Sequence, residues 1–348
     1  MRFSTAGLLA VLWIVFVGGA FQEDAATLGD EPVIQGNVSS PTDVMFEQRD
    51  VKTDVLVGGK LFTSLDFSTY KKPILYPIYA PGQIPMTRSW PMVASSDGES
   101  RDHPHHKSLW TAHEINGIDF WGEKGGIIKT VKLETAFVNG PPNAIRTTSH
   151  WLKQDHDTPT LTDRTTYLFG GDDKSRWINV HLEFEASDQA FQFDDTKEGL
   201  FAIRTHPDLR LKANPKGGVS EVFGRAMNSE GVRGKEIWGK KSKWLLYFGK
   251  IQGKSVAIAM YDHPSNLRHP TTWHARDYGL IAANPFGLHH FLGQKKGSGA
   301  YQVKKGDQLN LRYRIEFFQG EVTTAEIESR YRHFAEMPAP QLVPLEDR

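Results

Sequence analysis

The sequence contains no cysteine at any of its 348 positions. This absence excludes disulfide bonds, a thiolate nucleophile and every zinc or iron–sulfur site that depends on cysteine ligands. A folded protein of this composition must therefore be stabilised mainly by burial of apolar side chains.

The sequence also lacks an excess of charge of either sign. Lysine plus arginine number 41, aspartate plus glutamate number 41, and the formal net charge is zero. Nucleic acids and anionic membrane surfaces attract proteins with a basic excess. We therefore expect neither as a partner, and a carbohydrate or another small polar ligand, neutral or locally charged, fits better.

Long apolar runs are missing except near the N-terminus. Arg2 precedes a mostly apolar run over residues 6–20, which is shorter than the ~20 residues that span a bilayer. A basic residue, an apolar run and small residues such as Gly18-Gly-Ala20 are typical of a cleaved signal peptide. We predict a signal peptide over residues 1–20 and an exported protein, periplasmic or secreted, without membrane association after cleavage.

The rest of the chain divides into three predicted parts. Residues 21–50 are polar and aperiodic, which indicates a flexible linker. Residues 51–337 contain no internal repeat or separating linker, so we expect a single domain there. Pro338 and Pro340 follow the last periodic segment and predict a frayed tail over residues 338–348.

Alternating apolar residues predict an all-β fold. The segment Trp177–Glu185 places Ile178, Val180, Leu182 and Phe184 on one face of a strand, because strand side chains alternate. The segments 243–250, 254–261 and 309–317 show the same pattern, and 54–63 indicates a hairpin around Gly58-Gly59. Together they predict a large two-sheet antiparallel sandwich.

Two further segments are typical of other structures. Five prolines between Pro73 and Pro91 predict only loops and short edge strands, since proline lacks a backbone N–H. Thr323-Thr-Ala-Glu326 has the spacing of a capping box and precedes a helical apolar stripe, so it predicts one short C-terminal helix. His289 and His290 read as strand residues whose side chains point apart.

A first candidate site lies in the loop Arg101–Trp110, which holds three histidines. His103, His105 and His106 are candidate catalytic residues because imidazole exchanges protons near neutral pH. If the loop is extended, His103 and His105 project to one side and His106 to the other. At least one of the three could equally serve only to bind the loop backbone.

A matching loop, Asp262–Asp277, lies far downstream. His274 is its candidate catalytic residue, and aromatic rings beside charged groups are typical of carbohydrate sites. The candidate substrate-binding residues here are Asp262, Asn266, Arg268, Trp273, Arg276 and Asn284. Trp273 could instead belong to the core.

A carboxylate and two arginines complete the candidate set. Glu198 precedes a glycine at the start of a short apolar strand that ends at Arg204. It could act as a general base opposite a histidine acid, or form a structural ion pair with Arg204. Arg88 and Arg204 are the remaining candidates for binding substrate.

A divalent metal is a possible cofactor. His103-x-His105 with His274 could provide three ligands, although no His-Glu-x-x-His helix accompanies them. The spacing alone does not distinguish a metal site from acid–base catalysis.

The joint motifs resemble one known family. His103-Pro-His-His106, Lys197-Glu-Gly199 with Arg204, and Asp262-His-Pro-Ser-Asn266 through Asn284-Pro-Phe-Gly287 are similar to DUF6807, a bacterial family of unknown function labelled "methane oxygenase PmoA-like". The resemblance covers residues 58–318. The membrane subunit behind that label has several membrane-spanning helices, and this sequence has no comparable apolar segments.

The resemblance implies a sandwich of the galactose-mutarotase type and a carbohydrate ligand. Three hypotheses follow. The first is a hydrolase, lyase or epimerase that uses histidine and Glu198 as acid and base. The second is a carbohydrate-binding protein without catalysis, and the third is a metal-dependent hydrolase or oxidase with histidine ligands.

Overall fold

Antiparallel β-strands dominate the computed structural model, which describes residues 43–94, 99–137, 142–186, 188–215 and 220–344. The strands form two large sheets and one small sheet. The predicted all-β antiparallel sandwich is confirmed. The predicted signal peptide and most of the predicted linker lie outside the described residues.

The first large sheet carries the loops that matter for the site. Its described strands, in spatial order, are β1 (Val44–Gln48), β2 (Lys52–Val57), β3 (Lys60–Asp66), β4 (Ile74–Ala80), β6 (Leu109–Thr111), β14 (Phe201–Arg204) and β18 (Leu280–Ala283), and β5 (Ile84–Pro85) pairs with β4.

The second large sheet is longer. Its described strands are β15 (Arg225–Asn228), β16 (Trp244–Ile251), β17 (Lys254–Asp262), β20 (Gln308–Gln319), β12 (Ser175–Glu185), β11 (Pro159–Gly171), β10 (Pro142–Lys153), β9 (Gly126–Phe137) and β21 (Val343–Pro344). The small sheet orders β19 (Tyr301–Val303), β13 (Phe191–Phe193), β7 (Glu114–Ile115) and β8 (Ile118–Asp119).

Aromatic side chains join the two large sheets. Phe62 of β3 contacts Phe317 of β20 edge-on, with ring centroids 6.1 Å apart, and Phe201 of β14 stacks on Tyr313 at 5.3 Å. The four apolar residues predicted for one face of β12 are all buried. Each buried side chain of this size stabilises the fold by roughly 1.5–3 kcal/mol, so this interface forms the main core.

The hairpin between β2 and β3 is confirmed. Gly58 and Gly59 form its turn, with φ angles of 58° and 71°. Such positive φ values are readily adopted by glycine because it has no Cβ.

One strand corrects the prediction for the proline-rich segment. β4 is seven residues long and lies inside the first sheet, although it contains Pro77. Within β4, only Ile74 and Leu75 pair with β6, and the register of β3 shifts between Thr63 and Leu65, opposite Pro77. The missing N–H of proline therefore removes no ladder hydrogen bond.

The described chain contains two α-helices. In α2 (Thr324–Glu336), the Thr323 hydroxyl accepts a hydrogen bond from the backbone N–H of Glu326 at 3.2 Å, as predicted. The other helix is α1 (Leu288–Leu292). It contains His289 and His290, so the prediction that they are strand residues is wrong. Gly293 ends α1 with a φ angle of 64°, and this C-cap signal outweighs the short apolar pattern.

Short 3-10 segments cover Pro81–Gln83, Pro207–Leu209 and Gly234–Ile237. Within the described ranges, no helix is both long enough and apolar enough to cross a membrane.

The ordered fold extends beyond both predicted boundaries. β1 lies inside the predicted linker. Its Phe46 packs edge-on against Phe169, with ring centroids 5.9 Å apart. At the other end, β21 lies inside the predicted tail and pairs with β9. Isolated short segments carry too little periodicity to reveal such pairing, which depends on distant strands.

We expect Thr323→Ala to lower the free energy of unfolding by about 1 kcal/mol, because it removes the cap of α2. Thr324→Ala is the matched control, since its side chain makes no hydrogen bond in the described structure. Chemical denaturation followed by circular dichroism measures both. Equal effects of the two substitutions would contradict a capping role for Thr323.

Candidate functional site

The first histidine loop is held from inside the protein by Arg88. Its guanidinium donates to the Asp102 carboxylate at 2.8 Å and to the carbonyl oxygens of His103 and His106 at 3.0 and 3.2 Å. Arg88 is 2% exposed, so it positions the loop. This corrects the prediction that Arg88 binds substrate.

Arg204 shares the same carboxylate. It donates to Asp102 at 2.8 and 3.1 Å and to Nδ1 of His106 at 3.1 Å. Its carboxylate partner is Asp102, so the alternative ion pair between Glu198 and Arg204 does not form. Arg204 is buried, and like Arg88 it supports the loop rather than facing a substrate.

Asp102 is the centre of this cluster. Burial alone would raise its pKa, but the hydrogen bond from His103 and the charge of Arg204 hold the pKa well below its usual range. The group is therefore a stable anion that orients the imidazole of His103.

His103 is the histidine best placed for proton transfer. Its Nδ1 donates to Asp102 at 2.7 Å, and its side chain is 39% exposed. Nε2 makes no hydrogen bond within the described ranges. An imidazole fixed by a carboxylate at one nitrogen presents the other to a substrate, so the structure supports an acid–base role for His103.

His106 is buried behind His103 in a stack of rings. The His103 and His106 rings lie 4.7 Å apart and nearly parallel, Tyr278 covers His103 at 5.0 Å, and Trp110 lies 5.3 Å from His106. Burial and the charge of Arg204 keep the pKa of His106 well below its usual value. His106 is therefore a neutral structural residue, contrary to its predicted catalytic role.

The loop is not extended, which corrects the predicted arrangement of its histidines. His103 has a φ angle of 50°, and the backbone N–H of His106 donates to the carbonyl of His103 at 3.0 Å. This turn brings His103 and His106 together, whereas His105 meets His103 only edge-on, with centroids 5.8 Å apart. Strand alternation does not apply inside a turn.

His105 borders a second charged cluster. Burial and the charge of Lys72 lower its pKa to about 4, so it is neutral near pH 7. In that cluster, Glu123 accepts hydrogen bonds from Lys72 at 2.7 Å and Lys107 at 2.6 Å. Burial lowers the pKa of Lys72 to about 8, against the charge of Glu123.

Two buried side chains hold the backbone next to Glu198. His274 donates through Nδ1 to the carbonyl of Lys197 at 2.8 Å, and Asn284 donates to the carbonyl of Thr196 at 3.0 Å. Burial and the charge of Arg276 lower the pKa of His274 to about 3. Both residues therefore position the Glu198 loop, and the predictions of catalysis for His274 and of substrate contact for Asn284 are corrected.

A third holder of this loop, His113, was not anticipated. It is buried and donates through Nε2 to the carbonyl of Asp194 at 2.8 Å. A Cβ at Gly199 would lie 1.9 Å from its Nδ1, so only glycine fits there. The sequence signal for this contact was the glycine beside Glu198, but nothing local identified its partner.

Glu198 presents its carboxylate without a close partner. The nearest cation is Lys197, with Nζ 3.9 Å from Oε1, and the Glu198 side chain is 39% exposed. Burial raises the pKa of Glu198, and the charges of Lys197 and His103 oppose the rise. The structure thus supports the predicted role of Glu198 as a base and places it within electrostatic reach of His103.

Arg276 and Tyr278 border the same space. The Arg276 guanidinium lies 5.5 Å from the Tyr278 ring centroid, and in the described structure its side chain makes no hydrogen bond. Burial raises the pKa of Tyr278 to about 12, so its hydroxyl is neutral. Arg276 remains a candidate for binding substrate, and Tyr278 beside it was not among the residues predicted from the sequence.

The remaining residues of the second loop are structural, which corrects their predicted contact with substrate. Trp273 is fully buried and donates to the carbonyl of Ser242 at 3.0 Å. Asp262 is also buried and accepts from Asn266 at 2.7 Å and from the Thr271 N–H at 2.8 Å. Buried polar groups require such partners, so these side chains serve the fold.

Asn266 and Arg268 complete that framework. The amide of Asn266 also bonds the backbone of Arg312, at 2.7 and 2.6 Å. Arg268 donates to four carbonyl oxygens, those of Pro285, Ser298, Gly299 and Ala300. The two halves of the second loop therefore differ in role: the residues before His274 support the fold, and those from His274 onward border the candidate site.

The predicted metal ligands do not converge. Among the described residues, no group of three or more histidine, aspartate or glutamate side chains could hold a metal ion. This geometry gives the metal hypothesis no support.

Large grooves lie elsewhere. One of about 560 Å³ lies between the 222–225 segment, β16, β17 and residues 320–322. Another, of about 240 Å³, lies between β12 and residues 337–341. Neither contains Glu198 or His103, so we assign the site by its chemistry rather than by cavity size.

The fold and the site define an antiparallel β-sandwich protein with an imidazole- and arginine-rich polar site. The chain belongs to DUF6807, a family of unknown function whose profile matches residues 52–332. The predicted family is confirmed. Among proteins of curated function, none matches this sequence.

Several solved structures have a similar fold. A galactose mutarotase-like protein from Lactobacillus casei is 9% identical, with a TM-score of 0.30, over 79% of this chain and 100% of that chain. A β-arabinopyranosidase is 9% identical, with a TM-score of 0.34, over 80% of this chain and 38% of that chain. A 4-α-glucanotransferase from Thermococcus litoralis is 8% identical, with a TM-score of 0.26, over 81% and 39%. The likeness concerns the fold alone.

We expect Asp102→Asn to lower the free energy of unfolding by roughly 2–4 kcal/mol, because it leaves two buried guanidinium groups without a counter-ion. The pKa of Asp102 is lower in the folded state, so its stabilisation is present above the unfolded pKa and lost as pH falls. The difference between the two proteins should therefore shrink below about pH 4.

Urea denaturation at several pH values measures this difference. Asp157→Asn is the control, since Asp157 is exposed in the connection between β10 and β11. A difference that persists unchanged at low pH would show that the charge of Asp102 is not what stabilises the loop.

Proposed function

We propose that this protein catalyses proton transfer on a carbohydrate, with Glu198 as general base and His103 as general acid. The observation that carries the proposal is the carboxylate of Glu198. It has no hydrogen-bond partner in the described chain, its loop is held by three buried side chains, and burial raises its pKa. A stronger and well-positioned base is what such a step requires.

The pairing with His103 supports the division of roles. Asp102 stays ionised and accepts a hydrogen bond from Nδ1 of His103 at 2.7 Å, which fixes the orientation of the imidazole. When the ring is protonated, Nε2 can deliver a proton to one substrate oxygen while Glu198 removes a proton elsewhere. Hydrolase, lyase and epimerase reactions all contain such a pair of transfers.

The carbohydrate is the substrate class that the sequence resemblance implies. Buried Trp273 offers no platform for a sugar ring, so recognition would depend on the polar groups around Glu198. A binding protein without catalysis would use the same groups, and turnover distinguishes the two.

We expect Glu198→Gln to reduce turnover by at least roughly 100-fold, because it removes the base but keeps the shape of the side chain. Product formation from a panel of glycosides and free aldoses, including exchange between anomers, can be followed by NMR. Sugar binding by the variant should remain within a few-fold of wild type.

Glu236→Gln is the matched control. Glu236 also lies 3.9 Å from a preceding lysine, Lys235, but both side chains are largely exposed. Its turnover should equal that of wild type. Saturable sugar binding without any product from the wild-type protein would leave a carbohydrate-binding protein instead.

We also propose that the protein is exported after removal of residues 1–20. Arg2 and the apolar run support this, and they lie outside the described residues. Expression of the full chain in a Gram-negative host should yield periplasmic protein whose mass corresponds to a start at Phe21 or, with cleavage after Ala26, at Thr27. Protein that keeps Met1 and stays in the cytoplasm would refute export.

A further inference from the structure

We infer that the substrate of this site carries a negative charge and that Arg276 binds it. The inference rests on the site proposed above, and it names the chemical class of the sugar: one that bears a carboxylate, as in a hexuronate, or a sulfate ester.

Arg276 differs from five other arginines of the described chain. Each of the following donates its guanidinium N–H groups to carbonyl or carboxylate oxygens: Arg88, Arg204, Arg268, Arg312 and Arg330. Arg276 makes no such bond in the described part of the chain, and its guanidinium lies 5.5 Å from the Tyr278 ring centroid. Its donors are therefore available to a ligand.

The position of Arg276 is fixed although its guanidinium is free. Its backbone N–H donates to Leu280 at 2.9 Å, and its carbonyl accepts from Gly279 at 3.0 Å and from the hydroxyl of buried Tyr247 at 3.2 Å. Its charge acts on both Glu198 and His274. An anion bound to Arg276 would thus lie beside the proposed base.

Three carboxylates of this region each have two cationic neighbours. Asp102 is shared by two arginines, Glu123 by two lysines, and Glu198 faces Lys197 and Arg276. Arg276 is thus a cation close to the proposed base, and a cation in a partly buried site favours an anionic ligand.

The planar guanidinium fits a carboxylate or sulfate in particular. It can donate two parallel hydrogen bonds to two oxygens of one anion. A neutral hydroxyl offers one oxygen and no opposite charge, so it cannot form this paired arrangement. Discrimination between an acidic sugar and its neutral counterpart should therefore depend on Arg276.

The test compares binding of paired sugars by the full chain, using calorimetry at low ionic strength. The pairs are D-glucuronate with D-glucose, D-galacturonate with D-galactose, and D-glucose 6-sulfate with D-glucose. We expect at least one acidic sugar to bind roughly tenfold more tightly than its neutral partner, since charge-assisted hydrogen bonds are the stronger ones. The preferred pair identifies carboxylate or sulfate as the source of the charge.

Arg276→Gln should abolish that preference and weaken binding of the acidic sugar more than binding of the neutral one, and Arg276→Lys should keep part of the preference. Arg332→Gln, at an exposed position of α2, is the control and should keep the full preference. Neutral sugars that bind as tightly as acidic ones, equal losses for both classes in Arg276→Gln, or no binding of any acidic sugar would each overturn the inference.

Binding and turnover separate this inference from the proposed function. A preference for acidic sugars without product would refute catalysis but not the role of Arg276. Turnover of neutral sugars that is abolished in Glu198→Gln and unaffected in Arg276→Gln would refute the role of Arg276 but not catalysis.

Discussion

The candidate site depends on one carboxylate that two arginines, a histidine and a serine share. Asp102 accepts hydrogen bonds from Arg88, Arg204 and His103, and the two arginines also bind the loop backbone and His106. A buried guanidinium is costly without a counter-ion, so the ionised carboxylate of Asp102 stabilises the folded loop. The orientation of His103 is therefore coupled to the folding of the loop.

Sheet topology brings the distant loops together. β14 lies between β6 and β18 and runs antiparallel to both, so the histidine loop before β6 and the segment before β18 lie at the end of β14, and the Glu198 loop enters β14 from its opposite end. Arg204 at the end of β14 meets the first loop, and Arg276 and Tyr278 precede β18. Residues far apart in sequence thus form one polar region on a rigid sheet, which is how precise sites are supported.

Local patterns predicted much of the fold. The alternation in β12, the Gly58-Gly59 turn and the Thr323 cap each express a short-range rule, and all were found. The failures involve long-range effects instead. β4 tolerates Pro77 because its neighbours pair around it, and β1 and β21 form because distant strands offer edges, which periodicity within a few residues does not record.

Local sequence patterns predicted the site less well than the fold. The sequence identified the correct loops, because histidine, arginine and carboxylate residues concentrate there, but it could not tell which side chains face outward. His274, Asn284 and Trp273 have the chemistry of binding residues and are buried holders of backbone groups, whereas Arg276 keeps its donors free. That difference is set by which carbonyl groups the folded chain leaves without partners. Because buried carbonyl groups need hydrogen-bond donors, most polar side chains of the two loops donate to the backbone. The few that remain, Glu198, His103 and Arg276, are therefore the residues through which function is best sought.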